Sequence, residues 1–233
     1  MKIGLLSDSH YCVSLFGGAK YRPGMLAKTK VTLDKMKEEG VELIVFLGDL
    51  IDKCRTQKQE IKCIDSIADL YRETGVPYVI LRGNHDCLVF PPEEFFYRVG
   101  GREAPFSLSF GDKLLLFIDG NYSQSGVPYA AGTNNWTDTA IPEKQVVWLR
   151  ETLSSATEKD IFVFSHQNFV NDNKKYNVKN ASLLCDMFEK DGRVRAVFQG
   201  HYHAGGTKEI NGIRYVVVPS LTKKGTPYLI TTL

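Results

Sequence analysis

The stretch Val41-Glu42-Leu43-Ile44-Val45-Phe46-Leu47-Gly48-Asp49-Leu50-Ile51-Asp52 decides the fold. Its apolar run, Leu43 to Leu47, is too short to cross a membrane and rich in branched and aromatic residues. That combination reads as a strand buried on both faces. The strand empties into Gly48-Asp49. In an open α/β sheet ligands gather beyond the carboxyl ends of the strands, so Asp49 is aimed where such folds do chemistry, and Gly48 permits close backbone approach.

Working outward, Lys2 to Ser7 reads as a first buried strand that runs into Asp8-Ser9-His10. On extended backbone, residues two apart point the same way, so Asp8 and His10 could grip one ion together. A helix over about Met25 to Glu39, opened by Pro23 and closed by Gly40, makes the connection a crossover. The strand at Val41 to Leu47 then lies parallel to the first. A second helix, Gln57 to Thr74, stops at Gly75 and leads to a third strand, Tyr78 to Arg82, which ends in Gly83-Asn84-His85-Asp86. Three consecutive strands thus end in D-x-H, G-D-x-x-D and G-N-H-D.

The second half reads as antiparallel. Phe106 to Phe110 and Lys113 to Ile118 flank a Gly111-Asp112 turn, and Thr207 to Pro219 flank Asn211-Gly212. Tyr122 to Ile141 is a long loop rich in Gly, Asn, Thr and Tyr, read as a substrate-facing wall because of its aromatics. Helices follow from Pro142 and over Val178 to Lys190. Ile161 to Ser165 is a strand ending in His166, Arg193 to Gln199 one ending in Gly200-His201-Tyr202-His203, and Tyr228 to Thr232 a last strand.

The chain of 233 residues, 43% of them hydrophobic, fits one domain over residues 1–233, with no linker-like tract. Lys and Arg number 29 against 27 for Asp and Glu, a charge of +2 that provides no bulk attraction for nucleic acid or membrane. With neither a signal-like segment nor a membrane-length apolar run, a cytoplasmic location is expected. The five cysteines are odd in number and form no C-x-x-C, which points to reduced thiols.

All five histidines, His10, His85, His166, His201 and His203, stand immediately after hydrophobic strands. Imidazoles mixed with carboxylates suit first-row ions such as Mn, Fe or Zn. Together with Asp8, Asp49 and Asn84 they are too many for one ion. They fit two ions roughly 3.5–4 Å apart, with a carboxylate able to bridge.

In the order D-x-H, G-D-x-x-D, G-N-H-D, lone His and G-H-x-H, from Asp8 to His203, the chain resembles the calcineurin-like metallophosphoesterases. The resemblance implies a four-layer α-β-β-α sandwich of two mixed sheets, with a dinuclear metal site at the carboxyl ends of the strands. It implies that Asp8, His10 and His203 hold one divalent transition-metal ion, that Asn84, His166 and His201 hold the other, and that Asp49 bridges. His85 would face the substrate, Asp86 would orient it, and Asp52 would brace the ligands. The implied reaction is in-line attack on phosphorus by a hydroxide that the two ions generate.

Three activities follow from such a site: hydrolysis of small nucleotide-like diesters or pyrophosphates, hydrolysis of phosphomonoesters or phosphoproteins, and a non-catalytic scaffold, with a nuclease as a fourth. The full ligand set argues against a scaffold, and the lack of a basic aromatic stripe against a nuclease. Tyr21-Arg22, the spacing from G-D-L-I-D to G-N-H-D, and G-H-Y-H-A-G-G also resemble the manganese-dependent ADP-ribose and CDP-alcohol pyrophosphatases. On that basis a small phosphorylated substrate is expected. Arg22 is the candidate for a second phosphate, and Tyr11, Trp136, Phe169, Tyr176 and Tyr202 are candidates for stacking a base.

Overall fold

The computed structural model describes residues 1–14, 22–225 and 227–233. Tyr21 lies outside the described residues. The strands are β1 (Lys2–Leu6), β2 (Leu43–Phe46), β3 (Tyr78–Ile80), β4 (Phe106–Phe110), β5 (Lys113–Phe117), β6 (Asp160–Ser165), β7 (Val194–Gln199), β8 (Gly206–Ile210), β9 (Ile213–Val217) and β10 (Leu229–Thr232). They form one sheet in the order β10-β1-β2-β3 and a second in the order β4-β5-β6-β7-β9-β8. The helices are α1 (Met25–Glu38), α2 (Gln57–Thr74), α3 (Asn84–Cys87), α4 (Pro92–Val99), α5 (Glu143–Ser155) and α6 (Ala181–Asp191).

Strand alternation builds the layers. In β2, Ile44 and Phe46 join Leu33 of α1, Ile64 and Ile67 of α2 and Phe95 of α4 in an outer core. Leu43 and Val45 face the other way and meet Leu115 and Phe117 of β5, Phe162 and Phe164 of β6 and Phe198 of β7 between the sheets. On the far side, Leu114, Leu116 and Val163 pack under Leu149 of α5 and Leu184 and Phe188 of α6. β2 is therefore apolar at every position, because each of its faces is covered. The result is a four-layer α-β-β-α sandwich.

One expectation needs correcting. The second sheet is mostly parallel: β5, β6, β7 and β9 run side by side in one direction. Only the two hairpins, β4 with β5 and β8 with β9, are antiparallel there, and β10 adds antiparallel to β1. The turn signals mark hairpins at the sheet edges, whereas α5 and α6 are crossovers that force parallel pairing in the interior. The helix α4 also stands where sequence showed only a change of pattern; Phe95, Phe96 and Val99 bury its inner face and Gly100 ends it.

Phe106, Phe117, Phe164 and Phe198 stack in succession between the sheets at centroid separations of 4.7, 4.9 and 5.3 Å. Such offset rings add about 0.5–1.5 kcal/mol per pair beyond the area they bury. Truncating the interior ring, Phe164→Ala, should cost about 3–5 kcal/mol, whereas Tyr97→Ala, at a residue 85% exposed, should stay within about 0.5 kcal/mol in urea denaturation.

Candidate metal centre

The carboxyl ends of β1, β2 and β3 in one sheet and of β6 and β7 in the other meet at one rim, and backbone bonds lock them there. Asp8 N–H donates to Gly48 O at 3.0 Å, His10 N–H to Asp49 O at 3.0 Å, and Gly200 N–H to His166 O at 3.0 Å. Four residues at this rim have positive φ despite carrying side chains: Asp8 (55°), His10 (46°), Asp49 (59°) and His201 (64°). Such backbone is costly for non-glycine residues and persists where the surroundings enforce it. Two glycines make room. A Cβ on Gly48, at φ +94°, would lie 2.6 Å from His166 Nδ1, and one on Gly83 would lie 2.1 Å from Asp49 Oδ1.

The side chains converge in two groups. Asp8, His10 and His203 form one: His203 Nε2 and His10 Nε2 stand 3.3 and 3.6 Å from Asp8 Oδ1, and 3.0 Å from each other. Asp49, His166 and His201 form the other. Asn84 joins it, with Oδ1 3.1 Å from His166 Nε2. Asp49 Oδ2 lies between the groups, 3.4 Å from His166 Nε2 and 3.7 Å from His10 Nε2. All but His203 are buried.

This donor set fits two cations. His166 Nδ1–H donates to Leu47 O at 2.7 Å, and His10 Nδ1 pairs with Asp52 Oδ1 at 2.9 Å, so both rings turn Nε2 inward. His166 Nε2 then faces only oxygen acceptors. Asp8 Oδ1 and His201 Nε2 are buried without any hydrogen-bond partner. Buried acceptors left facing one another are expensive unless a cation lies between them.

The titration directions carry the same signature. Burial opposes charge on His10 and His166, yet the bond His10 makes to the Asp52 carboxylate and the nearby carboxylates of Asp8 and Asp49 raise it to about 10, and the Asp49 charge raises His166 to about 9. Asp8 and Asp49 are held well below the usual carboxylate range: burial works against this, but the surrounding histidines prevail. In the protein alone, protons take the cationic role that the acceptors demand. His201 goes the other way, driven down to about 3 by burial and by neighbouring His166, so its ring stays neutral and able to offer a nitrogen to a cation.

His85 is held by a different carboxylate from the one expected. Its Nδ1 pairs with Asp52 Oδ1 at 2.6 Å, the oxygen that also holds His10. Asp86, expected to orient His85, instead accepts backbone N–H bonds from Gly83 (2.8 Å), Ile51 (3.0 Å) and Leu50 (3.2 Å). It therefore clamps the loop after β2 to the turn after β3. Its direction in sequence misled because α3 turns the residue after His85 away from the cleft.

Above the two groups opens a cleft of about 440 Å³ lined by Asp49, Asn84, His85, His201 and His203, by Trp136, Tyr176 and Tyr202, and by Ala204 and Lys223. The long loop is the wall expected for it: Trp136 lies edge-on to His201 at 5.5 Å, and Asn134 Nδ2 donates to Asn84 O at 2.5 Å. Tyr176 touches both His201 and Tyr202, at 5.3 and 5.0 Å. Two of the stacking candidates fall elsewhere. Tyr11 is buried among the residues under α1 and α2, and Phe169 packs on Phe188 in the core beneath α6. Arg22 does not line the cleft; its backbone N–H donates to Cys12 O at 2.9 Å.

Sequence reasoning missed Asn134, Lys223 and a buried network behind the Asn84 turn. In that network Asn121 Nδ2 donates to Arg82 O (2.7 Å) and to Asp119 Oδ1 (2.6 Å), while its Oδ1 accepts from Gln167 (2.7 Å). Its one signal was Asp119-Gly120-Asn121 at another strand end.

With this geometry, the family follows: the calcineurin-like phosphoesterase model matches residues 1–205, and the chain belongs to that family of metallophosphoesterases, hydrolases of phosphoric esters. Its relatives include a probable cyclic nucleotide phosphodiesterase of Fibrobacter succinogenes, 23% identical over 94% of this chain and 79% of the relative. Another is the serine/threonine-protein phosphatase CPPED1 of Rattus norvegicus, 27% identical over 79% of this chain and 70% of the relative. A dimetal phosphatase from Danio rerio shares the fold with a TM-score of 0.81 at 16% identity, over 97% of this chain and 89% of that one. Among the described residues no helix is long and apolar enough to cross a membrane.

Because the added methyl would collide with both the Oδ1 and the backbone N of Asp49, Gly83→Ala should leave a folded protein whose Mn²⁺ affinity is reduced about tenfold or more. Circular dichroism and titration calorimetry check the two halves of that expectation.

Proposed function

We propose that the chain hydrolyses small nucleotide-like phosphodiesters or pyrophosphates. The observation that carries this reading is the aromatic wall of Trp136, Tyr176 and Tyr202 over the ligand groups, in a cleft that His85 also lines. A phosphate seated on the ligands would leave an attached base beside those rings. The relative named as a probable cyclic nucleotide phosphodiesterase supports a diester. The relative named as a protein phosphatase favours a second reading, phosphomonoester hydrolysis.

In this proposal Asp8, His10 and His203 would hold one divalent ion, Asn84, His166 and His201 the second, and Asp49, standing between the two groups, would serve both. When bound, two such ions neutralise phosphate charge and lower the pKa of water enough for attack near neutral pH. The chain's own residues do the rest. Asp52 fixes the rings of His10 and His85 through one oxygen. With Nδ1 so engaged, His85 offers Nε2 to the departing oxygen. Burial opposes its charge, but Asp49 and Asp52 raise its pKa and keep a proton available.

A chelated sample should be inactive and should recover with Mn²⁺ or another first-row ion, and Asp49→Asn should lose more activity than His201→Asn or His203→Asn. Full activity in chelator, with no transition ion in metal analysis, overturns the two-ion assignment. A panel of phosphomonoesters, cyclic nucleotides, nucleoside-diphosphate conjugates and bis(p-nitrophenyl) phosphate separates the two substrate readings.

If His85 is the acid, His85→Asn should retain both ions and lose about 10²–10⁴-fold on a nucleoside leaving group, but much less on p-nitrophenolate, which needs no proton. An equal loss on both, with both ions bound, would assign His85 to stabilising phosphoryl oxygen instead.

A further inference from the structure

We infer that Lys223 is a specificity-determining residue that binds a second phosphate, making nucleoside-diphosphate conjugates the preferred substrates. The inference rests on the reading above and narrows it from diesters in general to pyrophosphates. Among the described residues Lys223 is the only Lys or Arg that lines the cleft, and it is exposed. Among the described residues no carboxylate pairs with its ammonium.

The segment carrying Lys223 is stapled to the ligand-bearing backbone. Ser220 N–H donates to His203 O at 3.1 Å and Leu221 N–H to Ser7 O at 2.8 Å. Ser220 Oγ–H donates to Asp8 O at 2.9 Å. Lys223 N–H closes the turn on Ser220 O at 3.0 Å, and the Lys28 ammonium holds Lys223 O. The root of the Lys223 side chain is thereby held in register with Asp8 and His203, beside the cleft that the residue lines.

Charge decides what it meets there. Two divalent ions less the carboxylates of Asp8 and Asp49 already leave about +2 to neutralise the phosphate under attack. A further cation at the rim has no counter-charge in a substrate with one phosphate and a base. It has one in a pyrophosphate, whose second phosphoryl group lies next along the chain. Arg22, which the sequence suggested for this task, does not line the cleft.

The test is calorimetric binding of α,β-methylene-ADP and of AMP to the Mn²⁺-loaded full chain, with Lys223→Met and Lys223→Arg, alongside turnover of a nucleoside-diphosphate sugar and bis(p-nitrophenyl) phosphate. Lys223→Met should weaken α,β-methylene-ADP about tenfold or more and AMP less than about twofold, and Lys223→Arg should restore most of the loss. For the nucleotide sugar the change should appear in KM, with kcat and metal content retained. Equal weakening of both ligands, or of neither, overturns the role of Lys223 while wild-type diester turnover keeps the broader reading intact. Wild-type protein that cleaves the aryl diester but not the nucleotide sugar also overturns it. Wild-type protein that cleaves only monoesters overturns the broader reading, and that result is visible without any variant.

Discussion

The structure depends on the convergence of Asp8, Asp49, Asn84, His166 and His201 at one buried rim, where acceptors face acceptors. Such an arrangement is electrostatically unfavourable by itself, and cations are the natural remedy. The rest of the fold supplies the force that holds it. Apolar layers on both faces of both sheets fix the strands, and the strands fix the backbone at the rim, including four residues with positive φ. The strain is local and the packing that sustains it is spread through the molecule.

The two sheets are joined at this rim by polar contacts as well as by the apolar layer between them. His166, at the end of β6, donates to Leu47 O beyond β2, and His201 N–H, beyond β7, donates to Asp8 Oδ2 at 3.1 Å. Each ligand group draws residues from both sheets, so a shift of one sheet against the other would separate the groups. Asp52 adds coupling of a different kind. One of its oxygens holds both a ring of the first ligand group and His85, linking the ligand frame to the group that faces the cleft.

Around this frame, loops supply the aromatic walls of the cleft. The excursion between β5 and α5 is tied to itself, with Tyr129 Oη–H donating to Asn135 O at 2.6 Å, and to the ligand set through Asn134. It delivers Trp136 to a fixed place over His201. The match to the Danio rerio dimetal phosphatase at 16% identity is one of fold.

The sequence by itself determined the buried strands, the crossover helices of the first half and the eight groups gathered at strand ends. These are local signals: apolar runs, helix stops and polar residues following strands within a few positions. Parallel pairing in the second sheet went unread because the hairpin turns at its edges dominated the local pattern, although α5 and α6 carry the same crossover signal as α1 and α2. Only the tertiary structure decided which carboxylate meets His85. By sequence that task falls to Asp86 and a bracing role to Asp52, but the turn of α3 sends Asp86 to backbone N–H groups and leaves Asp52 beside the ring. The same holds for the cleft. Tyr11 and Phe169 sit near ligands in the chain yet face the core, while Lys223, twenty residues beyond His203, reaches the rim because Ser220 and Leu221 pair with the backbone of β1's extension. Sequence proximity names the strand end; side-chain direction across packed layers names the contact, and that direction exists only once the sheets are stacked.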